Sequence, residues 1–264
     1  MLKKRLIFTL LIQDGIFQLS RNFSLQAVGD IDWLYKHYHF ESIAYYIDEL
    51  VLVNVSRNDK KSSAFAEQVV NLSKKCFMPI TAGGGIRSLD DAYAILGAGA
   101  DKLIVNTPLF NDPDLIKKMV MTFGSQCVVA SIDYKRNALG TAVYYENGSR
   151  SSDMTVIDAV LHSEQLGVGE IYLTSMDKDG TGQGYDFEML TNIAAMSKVP
   201  IIASGGVGDF EHFVEGMRIP NVTGVSTANI FNFIGDGLTE ARRHILEAGI
   251  PLAQWDFDTI RVHG

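Results

Sequence analysis

Along the chain, short runs of apolar and β-branched residues alternate with stretches of helical periodicity. Strands are predicted at residues 5–11, 49–54, 78–82, 102–106, 127–133, 170–174, 201–204 and 224–226. Runs such as LIFTLLI and CVVASI are apolar at nearly every position, as in strands covered on both faces. Helix-patterned segments between strands imply parallel pairing through crossovers. Eight such units in about 250 residues match a (β/α)8 barrel, with an open doubly wound sheet as the alternative.

An internal repeat favours the barrel. MPITAGGGI from Met78 matches VPIIASGGV from Val199, so Pro79 pairs with Pro200 and Gly84-Gly85 with Gly205-Gly206. DELVLVN from Asp48 matches GEIYLTS from Gly169, which pairs Glu49 with Glu170 at the same offset. Each half then carries four βα units, and two such halves close a (β/α)8 TIM barrel with a twofold half-barrel repeat.

In both halves a strand runs into a glycine turn and then a helix start, AGGGIRSLDDA and SGGVGDFEHF. Ser88 and Asp209 read as helix N-caps. Small residues there let backbone N–H groups approach a phosphate, with the helix dipole adding to the attraction. The following strands end in Asn106-Thr107 and Ala228-Asn229. These glycines also suit plain tight βα turns. Their repetition beside matching partner strands favours two phosphate cradles on opposite sides of one mouth, and so a ligand phosphorylated at both ends.

Composition narrows the class. Apolar residues make up 47% of the 264 residues and charged ones 20%, enough apolar surface for a packed core. Lys plus Arg is 23 against 31 Asp plus Glu, a formal charge of −8, which argues against a nucleic-acid binder. No apolar run is long enough to span a membrane. The opening MLKKRLIFTLLIQDG has the charge and apolar order of a signal peptide, but it stops at Gln13-Asp14-Gly15 without a small-residue cleavage site and reads as the first strand. Cys76 and Cys127 are far apart, as in a reducing, cytoplasmic setting. No Ser/Gly/Pro-rich linker divides the chain, so a single barrel domain over residues 1–264 is expected. The histidines His37, His39, His162, His212, His244 and His263 lack metal-ligand spacing; no metal or cofactor is expected. Trp33, Tyr35 and Trp255 read as packing or loop residues. RNFSLQAVGD is long for a βα loop and reads as a mobile lid. ALGTAVYYENGSR reads as a hairpin turning at Asn147-Gly148.

The segments DELVLV, AGGGI, ADKLIVNT, FGSQCVVASID, GEIYLTSMDKDGTGQGYD and IIASGGVG resemble, over nearly the whole chain, the cyclase subunit of imidazole glycerol phosphate synthase. The resemblance implies a half-barrel-duplicated barrel that binds a bisphosphorylated substrate. It also implies a partner glutaminase, whose ammonia crosses the barrel interior and is used to close an imidazole ring. By that resemblance Asp179, with Gly180, contacts substrate in the loop after the sixth strand, and Thr174 and Ser204 line the mouth.

The chain departs from the family at the chemistry. The family uses aspartates at the ends of strands 1 and 5 as acid and base, a division of labour that needs two carboxylates in different environments. The second is present as Asp133; the first position is Leu11. The repeat shows the mismatch independently, since Thr9-Leu10-Leu11 lies opposite Ser131-Ile132-Asp133. A family lysine is Leu19 here and a strand 2 aspartate is Asn54. Asp14 matches a separate turn aspartate and reads as a turn residue. Asp133 alone suits a base or a carboxylate satisfied by its surroundings.

What is retained lies at the other end. The resemblance assigns Arg5, Glu49, Lys102 and Glu170 to a charged ring that gates ammonia at the barrel base, and Asp101 and Gln126 to the surface facing the glutaminase. Three readings follow. The first is a cyclase-like subunit that channels ammonia for an acceptor synthetase, serving amidation of a cell-surface sugar, with its own cyclase activity lost. The second is a genuine cyclase (a lyase of histidine biosynthesis), and the third a non-catalytic glutaminase activator. A related sugar-phosphate isomerase would use paired aspartates and has no need of the ring.

Overall fold

The computed structural model describes residues 3–38, 45–57, 62–137, 140–229 and 235–253. Eight strands form its centre: β1 (Arg5–Gln13), β2 (Glu49–Asn54), β3 (Ile80–Gly83), β4 (Lys102–Val105), β5 (Val128–Asn137), β6 (Glu170–Ser175), β7 (Ile201–Ser204) and β8 (Val222–Thr227). Each pairs in parallel with the next. β8 pairs in parallel with β1, Arg5 lying opposite Gly224 and Phe8 opposite Thr227, so the sheet closes. The fold is the expected (β/α)8 barrel, and the doubly wound alternative is excluded by that closure.

The strand pleat sorts side chains into two cores. On β1, Leu6, Phe8, Leu10 and Ile12 point outward into the apolar layer beneath the helices. Arg5, Ile7, Thr9 and Leu11 alternate with them. Ile7, Val51, Ile104, Val129, Tyr172 and Ile202 form a separate cluster in the barrel interior. Both predicted caps are made: Ser88 Oγ accepts from Asp91 N at 3.2 Å, and Asp209 Oδ1 accepts from Glu211 N at 2.9 Å.

The segment after β1 differs from the loop expected of it. It forms two antiparallel strands, Ile16–Arg21 and Ser24–Gly29, the first paired back on β1. Asp14 and Gly15 at φ 51° and 82° reverse the chain at once, and Asn22 and Phe23 at 49° and 63° reverse it again. These two left-handed turns convert a loop-like composition into a hairpin. Asp14 is exposed in the first turn, as read from its pattern. The expected second hairpin is present: Gly140–Tyr145 pairs with β5 and with Arg150–Ser151, and Asn147-Gly148 lie in the turn.

Trp33 packs against His37, and the Tyr35 hydroxyl donates to Asn71 O at 3.3 Å, both packing roles. Trp255, His39 and His263 lie outside the described residues. No helix among the described residues is long and apolar enough to cross a membrane.

Candidate functional site

At the N-terminal end of the barrel, β1, β2, β4 and β6 each begin with one of the four charged residues. Arg5 bonds Glu49 Oε2 at 2.5 Å and also bonds Glu170. Lys102 Nζ lies 3.2 Å from a carboxylate oxygen of each glutamate. Thr81 and Thr223 complete the ring, Thr81 Oγ1 donating to Glu49 at 2.5 Å and Arg5 donating to Thr223 at 3.2 Å. Glu49 has only 1% of its side chain exposed, so its charge depends on these partners. Burial works against the Arg5 charge, but the two carboxylates outweigh it and raise its pKa. Asp101 and Gln126 are exposed at the same end of the barrel, and Asp101 Oδ2 accepts from Ile80 N at 2.8 Å.

Above the ring the interior is packed. The alternation that turns Glu170 inward also turns Tyr172 inward, two residues on. Its hydroxyl lies 2.9 Å from Thr9 Oγ1, 2.9 Å from Ser226 Oγ and 3.0 Å from Ser204 Oγ. Four hydroxyls from β1, β6, β7 and β8 thus form one bonded cluster across the barrel. Burial raises the Tyr172 pKa, with the hydroxyl bonds opposing and Asp133 adding to it. The pattern of alternation was available in the sequence, yet Tyr172 was not among the predicted site residues. No chemical motif marks it.

At the C-terminal end a cavity of about 720 Å³ opens, and Thr9, Tyr172 and Ser204 reach it from below. Asp133 lines it at 9% exposure. Burial pushes the Asp133 carboxyl up to about 7; hydrogen bonds from Thr174 and Ser131 oppose the shift, and the nearby Asp179 charge adds to it. Asn106 Nδ2 is 3.4 Å from Asp133 Oδ2 and donates to Ser131 O at 3.0 Å. A carboxyl balanced near neutrality is a competent proton donor or acceptor.

Leu11 lines the same cavity. Its hydrocarbon side chain has no proton to give. Leu19 packs partly buried against the outer core instead of reaching the mouth as a cation. Asn54 is buried at the rim and caps its own turn, Oδ1 accepting from Ser56 N at 3.0 Å. Asp133 is thus the only carboxylate of the expected acid–base pair at the mouth.

Gly84, Gly85, Asn106, Thr107, Thr174, Asp179, Ser204 and Ala228 all line the large cavity. Gly180, Gly205, Gly206 and Asn229 lie around a second, much smaller one beside it. Two glycines are also required by the fold. A Cβ on Gly84 would lie 2.3 Å from Asn54 O, and one on Gly205 would lie 2.6 Å from Ser175 O. Asn54 and Ser175 are themselves repeat partners, so the duplication extends to this contact. Arg57 and Arg87 also line the cavity, just beyond the ends of β2 and β3. Neither was singled out in the sequence, where single arginines in turns carry no signal.

The histidine biosynthesis protein family matches residues 25–235. Among curated proteins, the imidazole glycerol phosphate synthase subunit HisF of Streptococcus mutans is 39% identical over 255 residues, spanning 96% of this chain and 100% of its own. The chain belongs to the HisF family. The HisF of Streptococcus sanguinis is 38% identical over 254 residues, 96% of this chain and 99% of that one. A protein of Parasynechococcus marenigrum, named for imidazole glycerol phosphate synthase subunit hisF2, is 40% identical over 259 residues, 97% of this chain and 95% of its own. Within this HisF-type barrel, the charged base, the hydroxyl cluster and the mouth follow one another along a single interior.

Proposed function

We propose that the chain is a HisF-type subunit that works with a glutaminase and has lost its own cyclase activity. Ammonia passes the Arg5–Glu49–Lys102–Glu170 ring, crosses the interior beside Tyr172 and emerges at the mouth. Asp101 and Gln126 belong to the surface that meets the glutaminase. A phosphorylated ligand occupies the mouth over Gly84, Gly85, Asn106 and Thr107, with Asp179 and Gly180 toward its other end. The ammonia goes on to an acceptor synthetase, in amidation of a cell-surface sugar. One observation carries this reading: the ring is complete while Leu11 stands opposite Asp133 in the cavity. Removing one member of an acid–base pair typically costs about 10²–10⁴-fold in rate.

A second reading is favoured by the Asp133 carboxyl, held near pH 7, and by the family: a genuine cyclase in which Asp133 acts alone. The experiment is ammonium-dependent turnover of the family's bisphosphate substrate by the chain and by its Leu11→Asp variant. No turnover by the chain, with partial recovery in the variant, is the expected result. Turnover by the unaltered chain overturns the first reading in favour of the second.

A further inference from the structure

Under the proposed reading, ammonia rises from the charged ring to the mouth through an interior that is packed at Tyr172. The mouth cavity reaches down to Thr9, Tyr172 and Ser204. Ile7, Val51, Val129 and Ile202, which pack with Tyr172 in the interior cluster, are fully buried and do not line it. On β1, Ile7 lies between Arg5 of the ring and Thr9 of the cavity floor. On β2, Val51 lies between Glu49 of the ring and Val53, which lines the cavity. An aliphatic layer thus separates the two charged ends, and the hydroxyl cluster is set into it.

The cluster has a particular donor and acceptor balance. Besides the three bonds of the Tyr172 hydroxyl, Thr9 Oγ1 lies 2.7 Å from Ser226 Oγ. Four bonds join four hydroxyls, so all four protons can be spent within the cluster. The four oxygens carry more lone pairs than four protons fill, which leaves a surplus of acceptors. Tyr185 does not fill it, because its hydroxyl donates to Ser226 O at 2.9 Å. The charged neighbours are occupied elsewhere. Glu49 and Glu170 are paired with Arg5 and Lys102, and Asp133 is bonded to Ser131 and Asn106.

Ammonia complements this balance. It brings three N–H donors for the spare lone pairs and one lone pair for a single hydroxyl turned toward it. Ammonium has no lone pair to accept that proton, and its charge would lie in the aliphatic layer at a high desolvation cost. We infer that Tyr172, with Thr9, Ser204 and Ser226, is a binding station for neutral ammonia between the ring and the mouth, the Tyr172 phenol donating to the nitrogen. Tyr172 thereby selects ammonia over ammonium for delivery to the cavity floor at Ser204. This inference rests on the reading that ammonia crosses the interior.

The test is NMR of the full chain, carrying 13C at the tyrosine ζ carbon and in the isoleucine and valine methyls. Ammonium chloride is added at pH 9.5, where it is mostly neutral ammonia, and at pH 6.5, where it is ammonium, each against equal sodium chloride. Burial raises the Tyr172 pKa above the usual phenol value, so the phenol keeps its proton at pH 9.5. The Tyr172 signal, identified by its loss in Tyr172→Phe, is expected to shift at pH 9.5 and to stay in place at pH 6.5. The Ile7 and Ile202 methyls should shift with it, and Tyr172→Phe, which keeps the packed ring, should lose those methyl shifts. Ser204→Ala gives a second check that leaves the aromatic ring in place, and should diminish the Tyr172 shift. Methyl shifts that persist in Tyr172→Phe, a Tyr172 shift unchanged in Ser204→Ala, or equal shifts at the two pH values overturn the inference and leave passage through the interior standing. If neither Tyr172 nor the methyls move at pH 9.5, the passage reading falls and the inference with it.

Discussion

Asp133 shows how one side chain takes its properties from its neighbours. Its place in an apolar strand was legible in the sequence; its burial beside Asp179 was not, because Asp179 lies in the loop after β6, distant along the chain. Its raised pKa has a consequence for stability. An unfolded aspartate titrates near about 3.9, whereas burial holds Asp133 up at about 7. Between those values the folded chain keeps a proton that the unfolded chain has lost. Its contribution to stability is therefore lost as pH rises through that window, by up to about 4 kcal/mol. Asp133→Asn should remove this slope and leave the variant more stable than its parent at pH 8. Thermal unfolding of both at pH 5 and pH 8 checks it, and parallel profiles would count against a buried, raised carboxyl.

At the scale of elements, strands and helix caps were readable because they depend on local periodicity and local hydrogen bonds. β2 and β7 have the predicted limits, and Ser88 and Asp209 cap as expected. The hairpin after β1 was not read, because turns at Asp14 and Asn22 do not by themselves say which strand the chain will pair with. The glycine turns combine both cases. Their repetition was visible, but the backbone carbonyls that exclude a side chain come from a neighbouring strand. Gly84 sits at φ 100° with Asn54 O in the way of a Cβ, whereas a Cβ on Gly97 meets nothing within 4 Å. Gly84→Ala should then destabilise by roughly 3 kcal/mol or more, and Gly97→Ala should be neutral or slightly stabilising. Urea denaturation midpoints compare the two, and equal midpoints would show that the turn yields.

For the whole molecule, the ring at the barrel base joins strands from both halves. Glu49 and Glu170 are repeat partners that share both cations, so the ring ties the duplication together. Arg5→Met would leave buried Glu49 with Lys102 as its sole cation in the ring. A loss of roughly 3 kcal/mol is expected, at the low end for a buried pair because Arg5 is one-fifth exposed. A double-mutant cycle adding Glu49→Gln should recover part of it, through coupling between contacting groups. Additive losses in chemical denaturation would mean that the two side chains act independently.

The sequence by itself determined the barrel, its duplication and the Leu11–Asp133 mismatch, while the four ring charges came from the family resemblance. The first three are carried by periodicity, or by spacing that repeats along the chain. Only the tertiary structure decided what those residues meet. Strand closure brings Tyr172 to Thr9, Ser204 and Ser226 across the interior, burial sets the Asp133 pKa, and the hairpin after β1 meets Asp179 through Ser20 and Phe23. The physical reason is common to all three: solvent exclusion and through-space contact are set by residues distant in sequence, and periodicity carries no record of them.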